Sequence, residues 1–128
     1  MEKSLLNQAW ILVAEDEPFI ALDLAAAVED AGGRVVGPAA SVKEALALLV
    51  TMPVAGAILD VTLADNDVTL VAEFLIAQGV PLVLQTGVGL PSGMATRFPG
   101  LTVKTKPYGS AELVEQLAAL IGERREVA

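Results

Sequence analysis

Five short apolar runs, each followed by a stretch of helical periodicity, constrain this 128-residue chain more than any other feature. The runs are WILVA (10–14), RVVG (34–37), AGAILD (55–60), PLVLQT (81–86) and LTVKTK (101–106). Short, nearly continuous apolar runs bounded by turn residues read as strands buried on both faces of a sheet. Between them, Ile20, Leu24, Ala27, Val28 and Ala31 share one helical face that Gly32-Gly33 closes. Ser41 and Glu44 form a capping-box signature ahead of Val42, Ala45, Leu46, Leu49 and Val50. Val68, Val71, Leu75 and Ile76 stripe a third helix ending at Gly79, and Leu113, Leu117, Leu120 and Ile121 stripe a last one that Ser110 can cap. The alternation predicts an α/β doubly wound domain, with a five-stranded parallel sheet and helices on both faces. Residues 87–100 (GVGLPSGMATRFPG) are rich in Gly and Pro, so any helix there is expected to be short or mobile.

Composition narrows the chemistry. The chain has no cysteine and no histidine, which removes disulfides, thiolate metal sites and imidazole bases together. What remains is carboxylates, hydroxyls, lysine and a hard, oxygen-loving cation. A net charge of −8 opposes nucleic-acid binding, which wants a basic face. The N-terminal MEKSLLNQAW does not read as a signal peptide, and no apolar stretch is long enough to span a bilayer. A cytoplasmic protein without nucleic-acid or membrane partners is expected.

In open parallel sheets, ligands bind beyond the carboxyl ends of the strands, where the strand order reverses. Those ends carry Glu15-Asp16, Asp60, Thr86 and Lys106-Pro107, while the second, ending in Val36-Gly37, offers nothing chemical. The order 2-1-3-4-5 places the first and third strands about 4.8 Å apart, so that Asp16 and Asp60 meet. An order of 3-2-1-4-5 would separate them. Carboxylates crowded in this way repel by about 4 kcal/mol per close pair at an effective dielectric near 20. Either one acid takes up a proton or a cation sits among them. Oxygen donors alone suit Mg²⁺, which keeps several waters and favours phosphate as a co-ligand. Phosphoryl transfer fits such a site: a carboxylate can be the nucleophile, and a cation and a lysine neutralise the transferring oxygens. A neighbouring hydroxyl can bind the phosphoryl group, and Gly87 leaves room for its approach.

In their order and approximate spacing, Glu15-Asp16, Asp60, Thr86 and Lys106-Pro107 resemble the response-regulator receiver domain of two-component systems, over roughly residues 8–123. The resemblance implies a flavodoxin-like fold with Asp60 as phosphoacceptor for a sensor histidine kinase. It implies Mg²⁺ bound by Asp16 and Asp60, by Glu15 through water, and by the Thr62 carbonyl. Thr86 would be the switch hydroxyl, Lys106 would contact the phosphoryl group, and Lys106-Pro107 would be a cis peptide. The chain departs from the family at Val103, where many receivers carry a switch aromatic, and Tyr108 cannot simply replace it. Thr86-Gly87 without that aromatic resembles single-domain receivers known for a Phe-Ala-Thr-Gly motif, of which only Thr-Gly is present.

No linker or second domain is visible. The expectation is therefore a stand-alone receiver, monomeric or weakly dimeric, with tails at 1–7 and 124–128, no output domain and a downstream protein target the sequence does not name. Its only catalysis would be its own phosphorylation and dephosphorylation. An aspartate-nucleophile phosphatase of the haloacid dehalogenase type would need an acid two residues after Asp60, where Thr62 stands. A nucleotide loop at Gly87, Gly89 and Gly93 follows the wrong strand and contains Pro91. A degenerate receiver, acting as an interaction module without phosphorylation, is opposed by the intact carboxylates, threonine and lysine.

Overall fold

The structure, a computed structural model, describes residues 4–87, 89–91 and 93–127, without the side chains of 125–127. Val88 and Ser92 of the 87–100 segment, and residues 1–3 and 128 of the expected tails, lie outside the described residues. The elements alternate as β1 (Trp10–Ala14), α1 (Pro18–Asp30), β2 (Arg34–Ala39), α2 (Val42–Thr51), β3 (Gly56–Asp60), α3 (Thr69–Ala77), β4 (Leu82–Thr86), α4 (Met94–Arg97), β5 (Thr102–Thr105) and α5 (Ser110–Val127). All strand pairs are parallel, in the order β2-β1-β3-β4-β5. This is the doubly wound, flavodoxin-like arrangement, with its switch point between β1 and β3.

Strand periodicity divides the core into two layers. Leu12, Ala14, Ala57, Leu59, Leu82 and Leu84 face α2 and α3, joined there by Val42, Ala45, Leu49, Val71, Ala72 and Leu75. Ile11, Val13, Ile58 and Val83 face α1 and α5, against Leu24, Val28, Leu113, Leu117 and Ile121. Successive strand residues point to opposite faces, and every residue of β3 and β4 is buried. Burying a leucine of this kind contributes about 1.5–3 kcal/mol, and the sheet interior is where most of the stability resides.

Local signals set the boundaries. At the start of α1 the Glu17 carboxylate accepts from the amides of Phe19 (2.9 Å) and Ile20 (3.2 Å), and Pro18 takes the first turn. Phe19 is 81% exposed, so it does not pack beneath the acids. At α2 the Ser41 hydroxyl accepts from the Glu44 amide (3.0 Å), as the capping box requires. The returning Glu44 carboxylate reaches one residue further, to the Ala40 amide (2.9 Å).

Three expectations need correction. The second strand runs on to Ala39, through a cis Gly37–Pro38 bond, rather than stopping at Gly37. The segment before β1 is not a loose tail: Leu6 is 2% exposed, and its amide donates to the Ala31 carbonyl (3.0 Å). The C-terminal stretch expected as a tail from 124 is helical, since α5 continues to Val127. The Gly/Pro-rich segment holds a single helical turn, Met94–Arg97, with Met94 buried in the core and Arg97 paired with Glu73.

Candidate functional site

The site forms where β1, β3, β4 and β5 end. The register pairs Val13 with Ile58 and Ala14 with Leu59, so Glu15 follows β1 level with Asp60, the last residue of β3. Asp60 pairs in turn with Gln85 of β4. Glu15, Asp60 and Gln85 thus form one row across three strands, two residues beyond the apolar row Val13, Ile58 and Val83. Glu15 and Asp60 are buried and Asp16 is exposed, yet carboxylate oxygens from all three lie within 4.8 Å of one another.

The triplet Glu15-Asp16-Glu17 divides its work. Glu17 caps α1. Glu15 is fixed through its backbone amide, which donates to the Ala39 carbonyl (2.8 Å), so the second strand does contribute an anchor. Its side chain accepts from the Glu17 amide at Oε2 (3.1 Å) and from the Gln85 amide group at Oε1 (3.1 Å). Lys106, just past β5, brings Nζ to 3.1 Å from Asp60 Oδ2 and 3.5 Å from Glu15 Oε1. Its own amide donates to the Thr86 carbonyl (2.8 Å), and the Lys106–Pro107 peptide is cis.

Burial pushes the Glu15 carboxyl up to about 7, reinforced by the negative charge of Asp60 and a hydrogen bond to it, while the Glu17 amide and Lys106 pull the other way. Burial lowers the pKa of the Lys106 ammonium, but its hydrogen bond to Asp60 and the fields of both acids outweigh this and leave it above its ordinary value. Three carboxylates against one ammonium leave an excess of negative charge, which a proton on Glu15 relieves when no cation is bound. All-oxygen donors with surplus negative charge fit a hard divalent cation. Thr62 forms an isolated antiparallel bridge with Asp67, pinned on either side by Val68 N–H to the Val61 carbonyl (2.8 Å) and Leu63 N–H to the Asn66 carbonyl (2.9 Å). Neither bond uses Thr62 itself.

Thr86 is buried at the end of β4, and its hydroxyl donates to the Gly89 carbonyl (2.8 Å) and accepts from the Gly89 amide (2.9 Å). A Cβ added at Gly87 would meet nothing within 4 Å, so the space beside that turn is open. Val103 is half-buried and packs on the α2/α3 layer, while Tyr108 packs on the α1/α5 layer beneath the Lys104 ammonium, 5.3 Å from its ring centre. The residue that sequence reasoning missed is Gln85. Its signal was a single amide in an otherwise apolar strand, one position before Thr86.

Solved structures share this arrangement. A response regulator receiver protein from Sinorhizobium medicae WSM419 superposes with a TM-score of 0.80 at 26% identity, covering 93% of this chain and 98% of that one. SdrG from Sphingomonas melonis Fr1 is 34% identical with a TM-score of 0.72, over 88% of this chain and 95% of its own. The chain belongs to the response-regulator receiver family. The response regulator PhyR from Brucella abortus is 27% identical with a TM-score of 0.70, covering 93% of this chain. This receiver spans about half (51%) of the PhyR chain. Neither a protein-family model nor a curated protein matches it by sequence. Receivers act in two-component signalling, and the acidic pocket of Glu15, Asp16 and Asp60 is consistent with a phosphoacceptor site that can bind a metal. Among the described residues, no helix is long and apolar enough to cross a membrane.

Proposed function

We propose that this receiver belongs to a cytoplasmic response regulator, accepts a phosphoryl group on Asp60 from a sensor histidine kinase and signals by protein contact. The observation that carries the reading is the setting of Asp60: a buried carboxylate at a strand end, with Lys106 Nζ at 3.1 Å and oxygens of Glu15 and Asp16 within 4.8 Å. A carboxylate so placed can attack phosphorus, while the lysine neutralises charge on the transferring oxygens.

In the reaction, an Asp60 oxygen attacks the phosphorus of phosphohistidine in line. The P–O bond forms as the P–N bond breaks, and the imidazole leaves with the electron pair and takes a proton from solvent. Bound Mg²⁺, held by Asp16, Asp60 and the Thr62 carbonyl with Glu15 acting through water, would supply further neutralisation of the phosphoryl oxygens. Lys106 then exchanges its carboxylate partner for a phosphoryl oxygen. The Thr86 hydroxyl has one proton, which is given to Gly89 here. Donating it to the phosphoryl group would release the Gly89 carbonyl, and the loop leading to α4 would rearrange. A downstream protein would read that change on the β4–β5 side of the domain, and hydrolysis of the aspartyl phosphate would reset it. These are reactions of the protein on itself, without a turned-over small-molecule substrate. The domain is proposed to be monomeric or weakly dimeric.

The test is phosphoryl uptake from acetyl phosphate with Mg²⁺, followed by intact mass. Wild type should gain one phosphoryl group and Asp60→Asn none; uptake by the variant would place the acceptor elsewhere and overturn the reading.

A further inference from the structure

Gln85 has no part in the chemistry above, yet it lies 2% exposed on β4, directly after the apolar run Leu82–Leu84. Burying a primary amide costs free energy unless its donors and acceptor are matched, and a leucine in the same place would carry no such cost. The partner that accounts for it is Glu15, whose Oε1 accepts from Gln85 Nε2 at 3.1 Å. These two residues stand on β4 and beside β1, with β3 between them, two strand spacings or about 10 Å apart. Only long side chains can meet across that gap, and Glu and Gln are both long. The strand they bridge ends in Asp60.

The bridge affects Lys106. Its ammonium is a flexible point charge with three donors, and two carboxylates compete for it: Asp60 Oδ2 at 3.1 Å and Glu15 Oε1 at 3.5 Å. The contested Glu15 oxygen is the one that Gln85 already satisfies. An amide does this without adding charge, so the pocket keeps its attraction for a cation, which an arginine or lysine at position 85 would weaken. We propose that Gln85 is a positioning residue of the phosphoryl site: it reaches across β3 to hold Glu15, and so leaves Lys106 to Asp60. The inference rests on the phosphoacceptor reading of Asp60 and adds to it the residue that assigns the lysine.

The experiment compares rates of uptake from acetyl phosphate with Mg²⁺ in wild type, Gln85→Leu, Lys106→Ala and the double variant. Gln85→Leu should slow uptake about tenfold, the scale of a lost hydrogen bond to a charged group. It should cause no further slowing once Lys106 is alanine. In a metal-free crystal structure of Gln85→Leu, Nζ of Lys106 should lie nearer Glu15 than Asp60. Wild-type rates in Gln85→Leu, or equal slowing with and without Lys106, would overturn the proposal, since a packing defect alone acts in both backgrounds. Should the leucine variant fail to fold, Gln85→Met serves in the same cycle. A wild type that takes up no phosphoryl group removes the phosphoacceptor reading and this inference with it, whereas an active wild type beside an unaffected Gln85→Leu removes only the inference.

Discussion

The two sides of the sheet's carboxyl end are built differently. At the β1–β3 corner, Glu15 is held by its backbone to Ala39 and by its side chain to Glu17 and Gln85, and both acids are buried over a continuous apolar floor. At the β4–β5 edge, every residue of β5 is at least partly exposed, α4 is one turn long, and Gly89 of the loop before it is hydrogen-bonded to Thr86. The contrast teaches a division of labour. The corner holds its acids by buried packing and several hydrogen bonds, and under the proposed function the edge would be the part that changes shape. On the proposed function, the responsive part would be the short Gly/Pro-rich α4 region.

Stability measurements can break this comparison most sharply. Leu59→Ala, in the floor one residue before Asp60, should cost about 3 kcal/mol in urea unfolding, against about 1 kcal/mol for Val103→Ala on β5. Equal costs would mean that the edge is as firmly packed as the corner. A smaller effect concerns pH. Glu15 ionises at about 7 in the folded, metal-free domain against an ordinary 4.5, so between those values the folded state keeps a proton that the unfolded chain has released. Metal-free stability should therefore fall as pH rises from about 4.5 to about 7 and level off above. Glu15→Gln should flatten that slope, and saturating Mg²⁺ should offset it by favouring the ionised carboxylate. A slope of opposite sign would show that Glu15 stays ionised across the range. The smallest effect is expected at the hinge of the two regions. Thr86→Ala should lower stability by about 1 kcal/mol, accelerate amide exchange at Gly89, and leave stoichiometric phosphoryl uptake intact while abolishing any phosphorylation-dependent change in exchange across 87–100. Such a change persisting in the variant would show that the loop responds without the hydroxyl.

Much of this was legible in the sequence because strands buried on both faces leave unbroken apolar runs. WILVA and AGAILD mark β1 and β3 almost to the residue, and the chemical residues at their ends sufficed to choose the strand order. The proximity of Glu15, Asp16 and Asp60 followed from that order alone. Other features lay outside its reach for identifiable reasons. Gln85 was hidden because a polar residue at the end of an apolar run reads as the strand's edge, and its partner lies 70 residues away. Leu6 was hidden because the pair Leu5-Leu6 among polar residues has no period to show which of the two is buried. The length of α5 was missed because ERREV is charged, and a solvated helical face looks the same in sequence as a loose end. The continuation of β2 past Gly37 was missed because Gly-Pro ordinarily signals the end of a strand.

Leu6 has a practical consequence. It sits against Gly33 so closely that a Cβ there would meet Leu6 Cδ1 at 2.6 Å. The residues leading into β1 are thus bolted to the underside of the domain, at the end opposite the acids. A probe attached on the segment between Leu6 and β1 would report on the body of the molecule while leaving the rim that carries the acids unobstructed.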